Sequence, residues 1–358
     1  MKEIKNSKFL KMNDKKMIAK NNANYLMEMS CKKEYLFKNY TLQNRANNIL
    51  KCLDYWQWDK YEKSKVLDLK MVYRCKDLFC PNCRTVKNIK AIYRFTPYFK
   101  LMLDEGYIPF LMTLTNPNCK GNNLSKEIDK MNTAYRTLWL WINAPIGKNK
   151  QGFGGRIFNA VGAIKNLEMT INDDRQFHVH FHCIIFLEKF NKDDFIKNIS
   201  GGFRKKSNNF IKISKADLFV KKLWTVAYKG KNISYFDKLG NNWFDSFICD
   251  IEELEIPKGV YEAFKYPVKD SDIESYEIFK DIYEGLFNKR LYQGYGKLYR
   301  LSKDIEVENN NSDNIDDLII DNEEAEELFV TSINEMTEKY KDFRKISRIN
   351  KKKKQIIN

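Results

Sequence analysis

Histidine is nearly absent from this chain: three residues in 358, all inside the stretch FHVHFHCIIF (177–186). Any imidazole chemistry must therefore be built on that one segment. Proline (7) and glycine (15) are also scarce, which excludes collagen-like, polyproline and Gly-rich linker character. No apolar run approaches the roughly 20 residues that cross a bilayer. The opening MKEIKNSKFLKMNDKKMIAK is too polar for a secretory signal. Both features predict a cytoplasmic protein with no membrane partner. Acid is in short supply, with 47 Asp and Glu against 63 Lys and Arg, a net charge of +16. Eleven of those acids crowd into 304–330, which has no basic residue, so the remainder carries +27. So large an excess favours a polyanion such as nucleic acid as partner.

The histidine stretch is rich in aromatic and β-branched residues and contains neither Gly nor Pro, so it reads as a strand. Alternate residues of a strand face one way. His178, His180 and His182 then share a face, which Ile184 and Phe186 extend toward a core; Phe177, Val179, Phe181 and Cys183 line the other. Neighbouring imidazoles on one face suit a divalent metal.

The rest of the chain reads as a mixed α and β protein. Residues 1–40 are a basic, Asn-rich lead-in expected to be mobile, with at most a short helix. A cysteine module spans 41–90, and 91–303 form the main domain. An acidic linker or tail (304–330) and a basic tail (331–358) follow, and charge blocks of this kind are usually disordered. Within the main domain AIYRFTPYFKLMLDEG reads as a helix and YIPFLMTLTN as a buried strand. LSKEIDKMNTAYRTLWLWINA reads as an amphipathic helix with Asn123 or Ser125 as N-cap. GAIKNLEMTIN is a second strand, joined to the histidine strand by the short DDRQ, so the two should be antiparallel neighbours. DDFIKNIS and ADLFVKKLWTVAYKG read as helices, and NWFDSFICDIEEL as strand. PKGVYEAFKY reads as a helix stopped by Pro267, and SYEIFKDIYEGLFN as another. ISGGFRKK (199–206) reads as a basic hairpin or a solvated loop, and QGFGGR (151–156) as a connection. The order predicts an α+β fold, a central antiparallel sheet with flanking helices, preceded by a small zinc-binding cysteine module.

RCKDLFCPNCR supplies Cys75, Cys80 and Cys83, the last two as CxxC, a turn that brings two thiolates to one tetrahedral ion. The fourth ligand is Cys52 or Cys31, and Zn²⁺ is the expected ion. Cys119, Cys183 and Cys249 fall in or beside strands and read as ordinary small residues. Arg74, Lys76, Arg84, Lys87 and Lys90 flank the cluster as a basic surface suited to phosphates.

A second group is YEAFKYPVKDSD (261–272). Glu262 and Tyr266 are four apart, one turn on one helix face, with Tyr266 at the helix end before Pro267. Lys265 and Lys269 stand near as cations and DNA contacts. A free phenol titrates near pH 10 and needs a cation or a metal to act as nucleophile.

Together these stretches resemble the replication initiator (Rep) proteins of Gram-positive rolling-circle plasmids, within the HUH endonucleases. The label denotes two histidines around an apolar residue, here His180-Phe181-His182. The resemblance runs from about residue 45 to 300. It takes in the cysteines ending CPNC, FLMTLTNPN (110–118), NLEMTIN (166–172), the histidine strand, EAFKYPVKD (262–270) and LYQGYGKLYR (291–300). Val179 stands where the family usually has Pro. The resemblance implies an RRM-like sheet and Mg²⁺ or Mn²⁺ on His180 and His182, with Glu168 or His178 as third ligand. It implies attack by Tyr266 on a single-stranded or extruded origin, leaving a 5′-phosphotyrosine, and activation of water by Glu262 in the terminating cleavage. Origin DNA, a host helicase and a DNA polymerase would be the partners. A relaxase or transposase of the same chemistry, a non-catalytic copy-control protein on the same fold and a zinc hydrolase using all three histidines are the competing readings.

Overall fold

The computed structural model describes residues 12–54, 56–61, 66–143, 157–206, 209–239, 247–301 and 322–356. The chain divides into two compact units. The first comprises the described residues of 1–94, 269–280 and 305–334; the second holds those of 95–268, 281–304 and 335–358.

In the first unit, α1 (Met12–Ser30) and α2 (Asn39–Leu50) are linked by the 3₁₀ turn Lys33–Lys38. Residues 12–30 of the lead-in thus form a helix of 19 residues, longer than the short one expected. Ala23, Leu26 and Met29 of α1 and Leu42, Ala46 and Ile49 of α2 are buried, and that apolar face outweighs the polar composition. Strands β1 (Trp56–Tyr61) and β2 (Val66–Val72) form an antiparallel hairpin. Helix α3 (Pro81–Asp104) begins here and passes into the second unit at Phe95.

The second unit is built on one antiparallel sheet of five strands: β3 (Ile108–Thr115), β4 (Phe158–Ile171), β5 (Phe177–Phe190), β8 (Cys249–Glu253) and β9 (Tyr292–Gly296). Their order across the sheet is β8-β3-β5-β4-β9, which bears out the α+β reading. The hairpin β4–β5 is its centre, and pairs Glu168 with His180 and Asn166 with His182. Its turn is closed by Asn172, whose Oδ1 accepts from Gln176 N at 2.8 Å. β3 lies on the other side of β5, with Thr113 opposite His182 and Thr115 opposite His180.

The two faces of β5 divide as alternation requires. Phe181 packs edge-on against Tyr135 of α4 (Leu124–Ile142) and near Trp224 of α5 (Lys215–Tyr228). On the histidine face, Phe186 packs against Phe95 and Phe99 of α3. The histidine face therefore dips into a core where the apolar residues continue it. α5 opens with a capping box between Ser214 and Asp217, and Asp217 Oδ1 also accepts from Ile251 N at 2.8 Å, tying the helix to β8.

Three local expectations are corrected. DDFIKNIS is not a helix: Lys192–Phe195 is a single 3₁₀ turn, and Asn198 already belongs to strand β6 (Asn198–Lys206), which pairs with β7 (Asn209–Ile213). The helix α6 (Lys258–Ala263) ends before Tyr266, so Glu262 and Tyr266 do not share a helix face. A residue before proline is disfavoured in the helical region, and the backbone there bonds to β4 instead. The basic tail expected to be disordered is part of α8 (Asn322–Ile356), after the intervening α7 (Tyr276–Leu286). The segments 151–156 and 302–321, with most of the acidic block, lie outside the described residues. Among the described residues no helix is long and apolar enough to cross a membrane.

One core residue breaks the apolar pattern. Lys165 of β4 is 1% exposed, with Nζ 4.0 Å from the centre of the Phe181 ring and bonded to Asn132 Oδ1. Burial pushes its ammonium down to about 7, against about 10.4 in an unfolded chain. Between those values the unfolded chain binds a proton that the folded chain lacks, so stability rises with pH across about 7–10. Lys165→Met should flatten that rise and leave the variant at least as stable at pH 7. Urea midpoints of both proteins at pH 7 and 9 test this; an unchanged slope would show that Lys165 does not cause it.

Candidate metal centre and nucleophile

On the histidine face, the register of β4 and β5 brings three ligand atoms together. Glu168 Oε2 lies 3.1 Å from His180 Nε2 and 2.8 Å from His182 Nε2. All three side chains are buried, and their ligand atoms lie within 4.8 Å of one another. Both imidazoles thus face one buried carboxylate oxygen, which no donor meets in good hydrogen-bond geometry. Three lone-pair donors thus converge on one point, which is the donor set of a divalent cation site. Burial pushes the Glu168 carboxyl up, but the two imidazoles outweigh it and hold it below the usual carboxylate range. The glutamate is therefore ionised, as a ligand must be.

Of the two candidates for third ligand, Glu168 is the one brought to the pair. His178 lies outside the cluster, its ring 5.3 Å from that of His180. Burial, then the neighbouring His180, lower its pKa.

The orientation of the imidazoles has identifiable causes. His182 Nδ1 lies 3.2 Å from Thr113 Oγ1 on β3, and His180 Nδ1 lies 3.2 Å from the His178 carbonyl. Both contacts leave Nε2 toward Glu168. Sequence reading missed Thr113, although its place in the strand FLMTLTN next to the histidine strand was the available signal. Thr113→Val should weaken Mn²⁺ binding by about 10- to 100-fold, as loss of an outer-shell partner does. Titration calorimetry would measure it, and an unchanged affinity would remove Thr113 from that role.

Tyr266 is half-buried and lies beyond α6. Asn166 Nδ2 donates to the Lys265 carbonyl at 2.7 Å, and Met169 N donates to the Pro267 carbonyl at 2.7 Å. The chain on either side of Tyr266 is thus pinned to β4 at positions flanking Glu168. Asn166, like Thr113, was not singled out from sequence. Glu262 pairs with Lys265, and Lys269 is exposed at the start of the turn Asp270–Asp272.

The second cluster belongs to the N-terminal unit. Cys52, Cys75, Cys80 and Cys83 group together, while Cys31 is exposed and apart. Sulfur separations are 3.5 Å for Cys52–Cys83 and 3.6 Å for Cys75–Cys83 and Cys80–Cys52. A tetrahedral ion with metal–sulfur bonds of about 2.3 Å requires edges of about 3.8 Å, so the residues fit Zn²⁺. Contact with Cys52, then burial, pushes the Cys75 and Cys83 thiols up, while the same sulfur contacts push Cys52 down. A cation would relieve that conflict. Lys76 at φ +57° turns the chain so that its N–H reaches Cys83 Sγ at 3.3 Å. The bidentate pair of Arg45 with Asp77 braces the same loop.

The basic surface expected around the cysteines is only partly at the surface. Arg84 is 4% exposed and pairs with Asp270, so it is a buried structural cation and not a DNA contact. Lys87 is half-buried, and burial lowers its pKa, with Asp77 opposing.

The family described as "Replication protein" (Rep_1) matches residues 66–345. A "Protein rep" from Bacillus sp is 26% identical over 64% of this chain and 67% of its own length. A "Protein rep" from Streptococcus pneumoniae serotype 2 (strain D39 / NCTC 7466) is 25% identical over 65% of this chain, which covers 63% of that relative. A third, from Lentilactobacillus hilgardii, is 24% identical over 74% of this chain and 76% of its own length. The chain thus spans about two thirds of the first two relatives. No solved structure matches it. With more than half of its length matched by the family, the chain belongs to the Rep_1 family of replication proteins.

Proposed function

We propose that this chain is a plasmid rolling-circle replication initiator, a metal-dependent enzyme that nicks and rejoins origin DNA through Tyr266. The observation that carries the reading is the Glu168–His180–His182 cluster, with the chain around Tyr266 pinned to β4 on either side of Glu168. His180, His182 and Glu168 would hold Mg²⁺ or Mn²⁺; Cys52, Cys75, Cys80 and Cys83 would hold a structural Zn²⁺. Bound at the first site, the divalent ion supplies Lewis-acid polarisation of the scissile phosphate.

The protein residues divide the remaining work. Tyr266 Oη attacks phosphorus, forming the 5′-phosphotyrosine bond as the bond to the 3′ oxygen breaks. The phenolic proton ends on the departing oxygen, giving the 3′-OH that primes synthesis. In the terminating cleavage, Glu262 takes a proton from water as the water oxygen bonds to phosphorus and the bond to the 3′ oxygen breaks, that oxygen leaving as 3′-OH with a proton. The ion pair of Glu262 with Lys265 holds it beside the Tyr266 segment. Lys265 and Lys269 are the DNA contacts of this segment. Single-stranded or extruded origin DNA is the substrate, and a host helicase and polymerase take over the 3′ end.

The test is cleavage of a labelled single strand carrying the replicon's own nick site, with Mn²⁺ and with chelator. A metal-dependent protein–DNA adduct supports the reading. DNA binding without cleavage on any origin strand would leave a non-catalytic DNA-binding protein.

A further inference from the structure

The N-terminal unit carries a solvent-facing group that the proposed chemistry does not use. On the 3₁₀ turn Lys33–Lys38 and the first residues of α2, Leu36 is 58%, Phe37 80% and Tyr40 74% exposed. All three lie within five residues at the junction of the turn and α2, so the two rings and the leucine make one short exposed apolar stretch. Tyr35, beside them in sequence, is buried. Large aromatic side chains clustered in water mark an interaction surface.

The surroundings indicate the partner. From residue 31 to 51 there are five basic residues, four asparagines and one acid; Arg45 is paired with Asp77 and Lys32 with Glu28, which leaves Lys33, Lys38 and Lys51 as the cations of the surface. That acid, Glu34, is occupied by Lys280 at 2.6 Å. Lys33 and Lys51 are exposed, and Lys38 Nζ lies 5.3 Å from the Phe37 ring centre. A protein-docking patch would need only the apolar residues. Exposed rings set among cations and amides, with the local acid neutralised, form the surface on which single-stranded DNA stacks its bases while lysines meet its phosphates.

We propose that Phe37 and Tyr40 are a base-stacking platform for single-stranded DNA, separate from the nicking centre. The inference rests on the reading of the chain as a DNA-processing initiator. It adds a second, sequence-tolerant contact for the strand that opening of the origin exposes.

The test uses the full chain and a fluorescent oligo(dT), with no divalent ion added, so that cleavage plays no part. Anisotropy would compare wild type, the Phe37→Ala/Tyr40→Ala pair and the ring-conserving Phe37→Tyr/Tyr40→Phe pair. The alanine pair should bind about tenfold or more weakly, and the ring-conserving pair like wild type. Both rings are exposed, so truncation empties no core. Equal affinity for the alanine pair and wild type overturns the proposal. So does a wild-type protein that self-associates through these rings, seen by sedimentation, with oligo(dT) affinity unaffected by their removal. Cleavage of the origin strand is scored separately. Its absence alongside ring-dependent oligo(dT) binding defeats the nicking reading and leaves the platform. Its presence with ring-independent binding does the reverse.

Discussion

Tyr266→Phe is expected to abolish the covalent protein–DNA adduct and to lower nicking by at least about 10³-fold, because removal of a nucleophile leaves only binding and electrostatics. The substitution deletes one oxygen. The pinning of the neighbouring chain uses the carbonyls of Lys265 and Pro267, which the change does not touch. Origin affinity and thermal stability should therefore remain close to wild type. Denaturing gels of a 5′- or 3′-labelled strand read the adduct and also the polarity of the cut. A Tyr266→Phe variant that still forms the adduct would assign the attack to another tyrosine, of which the chain has twenty in all. Glu262→Gln should separate the two halves of the reaction, with the first adduct forming and the terminating hydrolysis lost.

Loss of the Zn²⁺ proposed for the cysteine cluster is expected to have the largest effect on stability. The cluster joins the end of α2 (Cys52), the segment after β2 (Cys75) and the start of α3 (Cys80 and Cys83). The ion would tie Cys52 to residues 28 and 31 positions further along the chain, and structural zinc contributes about 10–16 kcal/mol in small modules. Cys80→Ser or strong chelation should release about one zinc per chain and lower the first thermal transition by about 10 °C or more. Cys31→Ser, outside the cluster and exposed, should change neither. Metal analysis of the purified protein decides the matter: a zinc-free protein with an unaltered transition would show that the thiols pack without an ion.

The histidine strand was legible because strand alternation is local. Period two alone places His180 and His182 on one face and Phe181 on the other, and the fold keeps that division. The hairpin was legible for the same reason, since the short DDRQ link leaves an antiparallel return as the simplest connection. Tyr266 was harder. The spacing of Glu262 and Tyr266 suits a helix, yet α6 stops at Ala263, because the turn before Pro267 gains backbone bonds from β4 that a helix would forfeit. Arg84 misled in another way. A basic residue next to a metal knuckle reads as surface, and only its carboxylate partner Asp270, 186 residues away, shows it to be buried.

The sequence by itself determined the chemistry available: three imidazoles on one strand, three thiols at metal-ligand spacing with Cys52 or Cys31 as a fourth, and an excess of positive charge suited to DNA. Those are properties of residue type and of short-range period, which local backbone geometry imposes without help from the rest of the chain. Only the tertiary structure decided which groups meet. Strand register selected Glu168 over His178, β3 supplied Thr113 behind His182, and long-range hydrogen bonds drew the Tyr266 segment onto β4. Pairings of this kind depend on which strands lie side by side, and the sheet order β8-β3-β5-β4-β9 is set by packing of the whole core against its helices.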